Sequence, residues 1–343
     1  MILLYILALL VCFVFLARIV DQFFIASLDK ISKDLHLSSD AAGATLMAVG
    51  SSAPELFVAL FSIFKPGEHQ AIGIGSIVGS AIFNLLVIVG VAALVRKAKL
   101  TWQPVVRDLI FYTVAVALLV VFIWDGSFTM PEAIIFLVIY VIYVFAAIFW
   151  KRILPYDDLP FDEPKEKNYD KKGIIGIFDQ LLCKLFPNKK HYYLNFLQSI
   201  VIIAALSWAL VELAVVISAT LRIPESIVAL TVIAVGTSIP DLFSSMIVAR
   251  QGRGDMAVSN AIGSNIFDIL AGLGLPFLIF LVISGGTVDA GQGDLISSVI
   301  ILFASVILLF ILLMASKWKV GKLTGIILLC LYIFYVVHEI IIL

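Results

Sequence analysis

Residues 229–274 read ALTVIAVGTSIPDLFSSMIVARQGRGDMAVSNAIGSNIFDILAGLG, and the chain writes much of this twice. Within it, 231–243 (TVIAVGTSIPDLF) has a counterpart 186 positions upstream at 45–57 (TLMAVGSSAPELF), with eight identities in thirteen. A second block follows each copy. Residues 75–90 and 259–274 share six identities in sixteen, among them Gly79/Gly263, Ser80/Ser264 and Phe83/Phe267. The mismatches in the first block include Ser51 against Thr237 and Glu55 against Asp241. The chain is an internal duplication, and both copies place an acid and a proline inside an apolar segment.

Composition sets the medium. Apolar residues make up 62% of the chain and charged residues 14%, with mean hydropathy +1.13. A polytopic membrane protein needs that much apolar surface and a soluble domain does not. The net charge of −1, with no basic cluster, gives no footing for nucleic acid. Cys12, Cys183 and Cys330 have no metal or redox spacing, and His36, His69, His191 and His338 form no zinc pattern. The apolar N-terminus lacks a basic leader and a clear small-residue cleavage site, so it reads as a retained first span.

About twenty apolar residues cross a bilayer as a helix. Ten segments qualify: 2–26, 39–64, 71–95, 105–124, 130–150, 194–219, 224–249, 256–283, 294–315 and 322–342. The duplicated blocks fall on the second and third and again on the seventh and eighth. Five is odd, so the two copies enter the membrane from opposite sides, the inverted-repeat plan of many secondary transporters. The expected fold is an all-α polytopic membrane protein of ten transmembrane helices in two inverted five-helix repeats. Residues 1–150 form the first repeat (motifs 43–90), 151–193 a cytoplasmic linker, and 194–343 the second repeat (motifs 229–274).

Lysine and arginine in the loops orient the chain. Alternating the loops puts twenty on one side, against Lys65 and Arg222 on the other, with Arg18 in the first span. Without the nine in the linker the imbalance is still eleven to two. The rich side is then cytoplasmic and both termini are extracytoplasmic. The linker holds PYDDLPFDEPKEKNYDKK and then a shorter apolar piece at 174–186. It reads as a tether, with an interfacial helix as an option. A regulatory calcium site on Asp157, Asp158, Asp162 and Glu163 is the sharper alternative, without the glycine-turn spacing of an EF-hand loop.

The chemistry lies in the repeats. Ser51 and Ser52 precede Glu55 by four and three residues and so share its helical face, and Thr237, Ser238 and Asp241 repeat this. Each acid follows a proline, Pro54 or Pro240, which cannot donate to the carbonyl four residues back and pushes it away. The freed oxygens lie near Gly50 and Gly236, beside carboxylates and hydroxyls. In lipid, broken helix is tolerated where it lines a site. Ser76, Ser80 and Asn84 recur at i, i+4, i+8, as do Asn260, Ser264 and Asp268, among small residues that let helices approach closely. Four such helices would converge on an all-oxygen cage, suited to hard cations such as Ca²⁺ and, by the same argument, Na⁺ or K⁺.

A single serine in such a row reads as readily as a packing contact. Three acids do not, because each ionised carboxylate at mid-membrane costs about 3 kcal/mol or more. Glu55, Asp241 and Asp268 therefore call for cations or protons to neutralise them. Asp21 and Glu212, in the first and sixth segments, fit gating or interfacial positions better than direct ligation.

GSSAPELF with GTSIPDLF, and GSAIFNLL with GSNIFDIL, resemble the two α-repeats of the cation/calcium exchanger superfamily. The resemblance covers the whole chain, since ten spans around a central cytoplasmic loop is that family's minimal plan. Asp at 241, with Asn84 and Asp268, is most similar to the potassium-dependent sodium/calcium exchanger branch. The resemblance implies Ca²⁺ ligation by Glu55 and Asp241 with backbone oxygens near Ser51 and Thr237. It implies Na⁺ sites on oxygens of Ser51, Ser52, Ser80, Ala48, Thr237, Ser238, Ser264 and Ala234, with Asn84 and Asp268 lining the same centre. Asp268 matches the aspartate tied to K⁺ use, but prokaryotic relatives without that dependence carry it too, so K⁺ co-transport stays open. The implied activity is Na⁺/Ca²⁺ antiport by alternating access, with no enzyme chemistry and no cofactor beyond the transported ions. Membrane lipid is the expected surrounding, and a prokaryotic plasma membrane suits the compact length. The sequence does not set the oligomeric state.

Three rivals follow from the same residues. A Ca²⁺/H⁺ antiporter would use the acids as proton carriers. A passive channel would show calcium flux with no counter-ion. GxGD at 252–255 and 291–294 is the mark of an intramembrane aspartyl protease. Its Tyr-Asp partners, however, occur only in the linker, at Tyr156-Asp157 and Tyr169-Asp170.

Overall fold

The structure, a computed structural model, describes residues 2–34, 45, 48–67, 69–156, 186, 191–250, 254–289 and 294–342. Asp157, Asp158, Asp162 and Glu163 lie outside the described residues, as does the side chain of Asp21. Both GxGD motifs lie partly outside them as well.

Helix makes up most of each of the ten apolar segments where they are described. Helix α1 (Ile2–Ile19) passes through a π-helical turn, Val20–Phe24, into α2 (Ile25–Asp34). Next come α3 (Ala48–Ser51) and α4 (Ala53–Phe64), separated by Ser52. Helix α5 (Gln70–Phe83) continues through the π-helical turn Asn84–Ile88 into α6 (Val89–Val95). Helices α7 (Trp102–Phe122) and α8 (Met130–Ile153) complete the first half. The second half opens with α9 (Tyr192–Leu221) and α10 (Glu225–Val228). The π-helical turn Ala229–Ile233 then leads to α11 (Ala234–Thr237) and, past Ser238, to α12 (Ile239–Arg250). Helix α13 (Gly254–Phe267) runs through the π-helical segment Asp268–Leu273 into α14 (Gly274–Ser284). Helices α15 (Asp294–Ala315) and α16 (Lys322–Ile342) close the chain.

Among the described residues, eight helices are long and apolar enough to cross a membrane. The other two segments are split at Ser52 and Ser238, which leaves shorter apolar pieces. Local chemistry accounts for the boundaries. Ahead of Pro131, the Glu132 carboxylate accepts from the Thr129 backbone N–H and hydroxyl, both at 2.7 Å, and starts α8. Helix α9 stops where Arg222 takes a left-handed conformation (φ 58°) before Pro224.

Two short antiparallel ribbons tie the halves together. Strand β1 (Ala98–Lys99), after α6, pairs with β4 (Lys319–Val320), between α15 and α16. Strand β2 (Ser127–Phe128), between α7 and α8, pairs with β3 (Val288–Asp289), between α14 and α15.

The buried apolar residues form two main clusters. One runs through α5 to α8 and α13 to α16, with Tyr112, Phe128, Phe136 and Phe277 near its middle. The other joins α1 and α9 to one side of α4 and α10, through Phe13, Phe24, Ile203 and Leu210. Helices α1 and α9 thus pack on each other and, within the same cluster, on the site helix α4. Many large apolar side chains stay exposed on the outer helices, such as Leu3, Trp124, Val282 and Leu323. A bilayer covers that surface, which in water would promote aggregation.

A charged cluster that the loop count misplaces lies inside this core. The twenty basic residues assigned to the rich side include Arg107, yet Arg107 sits within α7 with no exposed surface. Its Nε donates to Asp108 Oδ1 at 2.8 Å, and Tyr143 of α8 donates to the same oxygen at 3.2 Å.

Candidate ion-binding site

The two helix breaks are built alike. Ser52 (φ −91°, ψ 6°) and Ser238 (φ −85°, ψ 0°) both leave helical geometry. Each still donates its N–H to the alanine four residues back, Ser52 to Ala48 O at 3.0 Å and Ser238 to Ala234 O at 3.2 Å. The same carbonyls accept from hydroxyls, Ala48 O from Ser51 at 3.4 Å and Ala234 O from Thr237 at 3.3 Å. Beyond each break a fresh helix starts, with Glu55 in the first turn of α4 and Asp241 in the first turn of α12. A helix N-terminus favours negative charge, and the carbonyl end of the preceding half-helix favours a cation.

The third and eighth segments pack across these breaks. Gly79 permits this approach, because a Cβ there would meet the Leu230 carbonyl and run within 2.7 Å of Ala234 Cβ. Glu55 Oε1 lies 3.4 Å from both Ser80 Oγ and Ser238 Oγ, and those two hydroxyls are 2.7 Å apart. Ser51 and Ser264 meet hydroxyl to hydroxyl at 3.2 Å. Asn84 Nδ2 reaches Asp241 Oδ2 at 3.5 Å. Asp268 is fully buried and close enough to Glu55 and Asp241 to interact with both electrostatically. Asn84 and Asp268 each open a π-helical segment. The extra residue per turn redirects side chains, a device frequent at functional sites.

The structure thus gathers Glu55, Asp241, Asp268, Asn84, Ser51, Ser52, Ser80, Thr237, Ser238, Ser264 and the alanines 48 and 234 into one buried region. Several oxygens there have no hydrogen-bond partner among the described residues: Ser52 Oγ, Glu55 Oε2, Asn84 Oδ1 and both carboxylate oxygens of Asp268. Ion pairs among the described residues, such as Lys65 with Glu212 and Arg107 with Asp108, lie elsewhere and do not involve Glu55 or Asp268. Buried carboxylates whose donors are few and that have no counter-charge need a cation or proton. Among the described residues no three His, Cys, Asp or Glu side chains are grouped tightly enough to hold a metal by themselves. A cation here would also take hydroxyl, amide and carbonyl oxygens, the donor set of Na⁺ and Ca²⁺.

Glu212 stands apart from this region. It is paired at 2.5 Å with Lys65 at the end of α4 and is 40% exposed. Above the breaks, α1 and α9 each make a direct contact. Phe13 of α1 packs over Gly236, where any side chain would collide with its ring, and Ser207 of α9 donates to the Pro54 carbonyl at 3.4 Å.

Sequence reasoning missed Asn265 and Tyr112. Asn265 is fully buried, accepts from Asn84 Nδ2 at 3.0 Å, and donates to Ala81 O at 3.0 Å and to the Tyr112 hydroxyl at 2.9 Å. It lies one position off the row of Asn260, Ser264 and Asp268, so helical periodicity assigns it to another face.

The sequence model of the family described as "Sodium/calcium exchanger protein" matches residues 5–149 and 191–341. Human sodium/potassium/calcium exchanger 4 is 29% identical, over 99% of this chain and 81% of its own length. Human sodium/potassium/calcium exchanger 5 is 31% identical, over 97% of this chain and 82% of its own length. A solved structure of the sodium-calcium exchanger NCX_Mj shares the fold, with a TM-score of 0.63 at 24% identity over 98% of this chain and 99% of that one. With the family model reaching across both halves and their shared breaks, this multi-pass membrane protein belongs to the sodium/calcium exchanger family, whose members are transporters and not enzymes.

Proposed function

We propose that the chain exchanges Na⁺ for Ca²⁺ across its membrane by alternating access at the buried acidic site. The observation that carries this is the Glu55 carboxylate, which meets one hydroxyl from each half of the chain while its second oxygen is buried with no hydrogen-bond partner among the described residues. Glu55 and Asp241 are the Ca²⁺ ligands, completed by carbonyls at the helix breaks. Na⁺ takes overlapping oxygens of Ser51, Ser52, Ser80, Thr237, Ser238 and Ser264 and the carbonyls of Ala48 and Ala234. Asn84 and Asp268 border the same centre. Ions that share ligands exclude one another, and that exclusion couples the fluxes.

The architecture in this reading is ten spans in two inverted repeats, 1–150 and 194–343, joined by a cytoplasmic linker. Two features support it. The split helices recur at equivalent positions in the two halves. The ribbons also exchange when the halves are exchanged, since β1 corresponds to β3 and β2 to β4. The termini are extracytoplasmic, and α1 and α9, which pack on each other, move together past the site. K⁺ co-transport, as in the branch to which the human relatives belong by name, rests on Asp268.

The test is ⁴⁵Ca uptake into proteoliposomes loaded with Na⁺ and diluted into Na⁺-free buffer, with and without external K⁺. A pH gradient without Na⁺ is the parallel condition. Uptake that requires internal Na⁺ is expected. Uptake driven by the pH gradient alone would replace this reading with Ca²⁺/H⁺ antiport, and uptake without any counter-ion would make the chain a channel.

A further inference from the structure

We infer that Asn265 is a positioning residue for the ion site: it fixes which way the Asn84 amide faces and so makes the two halves of the centre chemically unlike. The inference rests on the exchanger reading above, and it begins with one carbonyl. Ala81 O can only accept, so the group that Asn265 turns toward it at 3.0 Å is its NH₂. The remaining amide atom, Asn265 Oδ1, can only accept. The group Asn84 presents to it at 3.0 Å is therefore an NH₂. That same nitrogen reaches Asp241 Oδ2 at 3.5 Å. Both amide orientations follow from the network.

The consequence is directional. Asn84 offers Asp241 a donor, and its own oxygen Oδ1 is buried with no partner among the described residues. Cation coordination by Asn84 can use only that oxygen, in the orientation Asn265 sets. Were the amide to flip, Asp241 Oδ2 would face a lone pair and the lone pairs of Asn84 and Asn265 would oppose each other. Buried mismatches of that kind are strongly disfavoured.

The repeat shows what is special about this residue. In the duplicated blocks Asn265 aligns with Ala81, and Asp268 aligns with Asn84. Asn265 thus bonds to the backbone of its own counterpart, while Ala81 has no side chain with which to return the contact. Asn84 is held from the opposite half, whereas the Asp268 carboxylate has no amide holding it in this way among the described residues. The hydroxyl of Tyr112 at 2.9 Å takes the second N–H of Asn265 and anchors the network to α7.

The test measures ion binding as well as transport. Asn265→Ala and Asn84→Ala are made singly and together. Asn265→Ser, whose hydroxyl is too short to span Ala81 and Asn84 at once, is a second probe should the alanine variant fail to fold. Half-saturation for Ca²⁺ is read from ⁴⁵Ca uptake and, independently of transport, from the Ca²⁺ dependence of thermal unfolding in detergent. Loss of an orienting partner weakens metal sites by about 10- to 100-fold, so a rise of about tenfold is expected from Asn265→Ala or Asn265→Ser. In the Asn84→Ala background the added Asn265→Ala should cost little, because the group it orients is gone. Full additivity of the two losses, or half-saturation unchanged in the folded Asn265 variant, would overturn the inference. Should wild-type uptake prove independent of Na⁺ while Ca²⁺ still shifts the unfolding temperature, the exchanger reading fails and the Asn265 comparison remains decisive.

Discussion

The hydroxyls of Ser80 and Ser238 lie 2.7 Å apart although 158 residues separate them in sequence, and each stands 3.4 Å from the same Glu55 oxygen. Each hydroxyl has one proton to give. If Ser80 donates to Ser238, then Ser238 is free to donate to Glu55, and the reverse order serves equally well. In the proposed exchanger a cation beside Glu55 would turn the hydroxyl oxygens toward itself and break this triangle. The two serines should therefore act as a unit. Ser80→Ala and Ser238→Ala are each expected to raise Na⁺ half-saturation several-fold, with a coupling of roughly 0.5–3 kcal/mol in the double variant. Na⁺ titrations of ⁴⁵Ca exchange measure it, and strictly additive losses would mean the hydroxyls serve separate sites.

Glu55→Gln and Asp241→Asn keep side-chain size and remove the charge. Direct ligands matter more than the partners that orient them, so exchange should fall by more than about 100-fold in each. Both proteins should still be recovered folded from the membrane, since a buried charge has been removed and not added. Near-normal ⁴⁵Ca exchange in both variants would remove these two residues from the site.

Protonation should imitate those variants. A carboxylate must be deprotonated to ligate a cation, so protons compete with Ca²⁺ and Na⁺ for Glu55 and Asp241. At fixed, subsaturating Ca²⁺ the initial rate is expected to fall as pH is lowered. Saturating Ca²⁺ should restore it. An acid loss that excess Ca²⁺ cannot reverse would point to titration away from the site.

What could be read from the sequence follows from how each feature is encoded. Broken helix near Pro54 and Pro240 was legible because proline removes an N–H and the duplication marked both prolines. The freed carbonyls were expected near Gly50 and Gly236, but the structure puts the breaks at Ser52 and Ser238. The apolar segments were legible because bilayer thickness sets a minimum length. Asn265 was not, because its partners are a backbone carbonyl 184 residues away and a tyrosine on α7, and no local spacing encodes either. Arg107 was misplaced for a related reason. A charge near a segment end reads as a loop residue, and although Asp108 is its neighbour in sequence, Tyr143 joins the pair only once α7 and α8 are packed together. The π-helical turns at Asn84 and Asp268 also follow from packing and not from composition.

The Arg107 cluster gives a stability prediction distinct from transport. Arg107→Met leaves Asp108 buried beside Tyr143 without its guanidinium, and breaking a buried pair from one side costs about 3–5 kcal/mol. The unfolding midpoint in detergent should drop clearly, while the Ca²⁺ half-saturation of the surviving protein stays near wild type. Replacing both partners, Arg107→Met with Asp108→Leu, should recover much of the loss. No recovery in the double variant would show that the pair does more than satisfy its own charges.

Lys65 and Glu212 provide the last test, because they link a helix of the site to α9, one of the two helices that move in the proposed cycle. Lys65 follows α4, whose first turn carries Glu55, while Glu212 lies on α9. Their 2.5 Å pair is 17% and 40% exposed, so solvent screens it and it is worth no more than about 1 kcal/mol. If α9 slides past α4 in each cycle, this contact must break and re-form, and it biases one access state by about fivefold at most. Lys65→Gln or Glu212→Gln should therefore shift the exchange rate by no more than about fivefold and reduce its sensitivity to ionic strength. The exchanged pair, Lys65→Glu with Glu212→Lys, should bring both properties back toward wild type, since the attraction survives while the local charges change places. If the exchanged pair behaves like the single variants, the residues act through their individual surroundings, and α9 is not held to α4 by this contact.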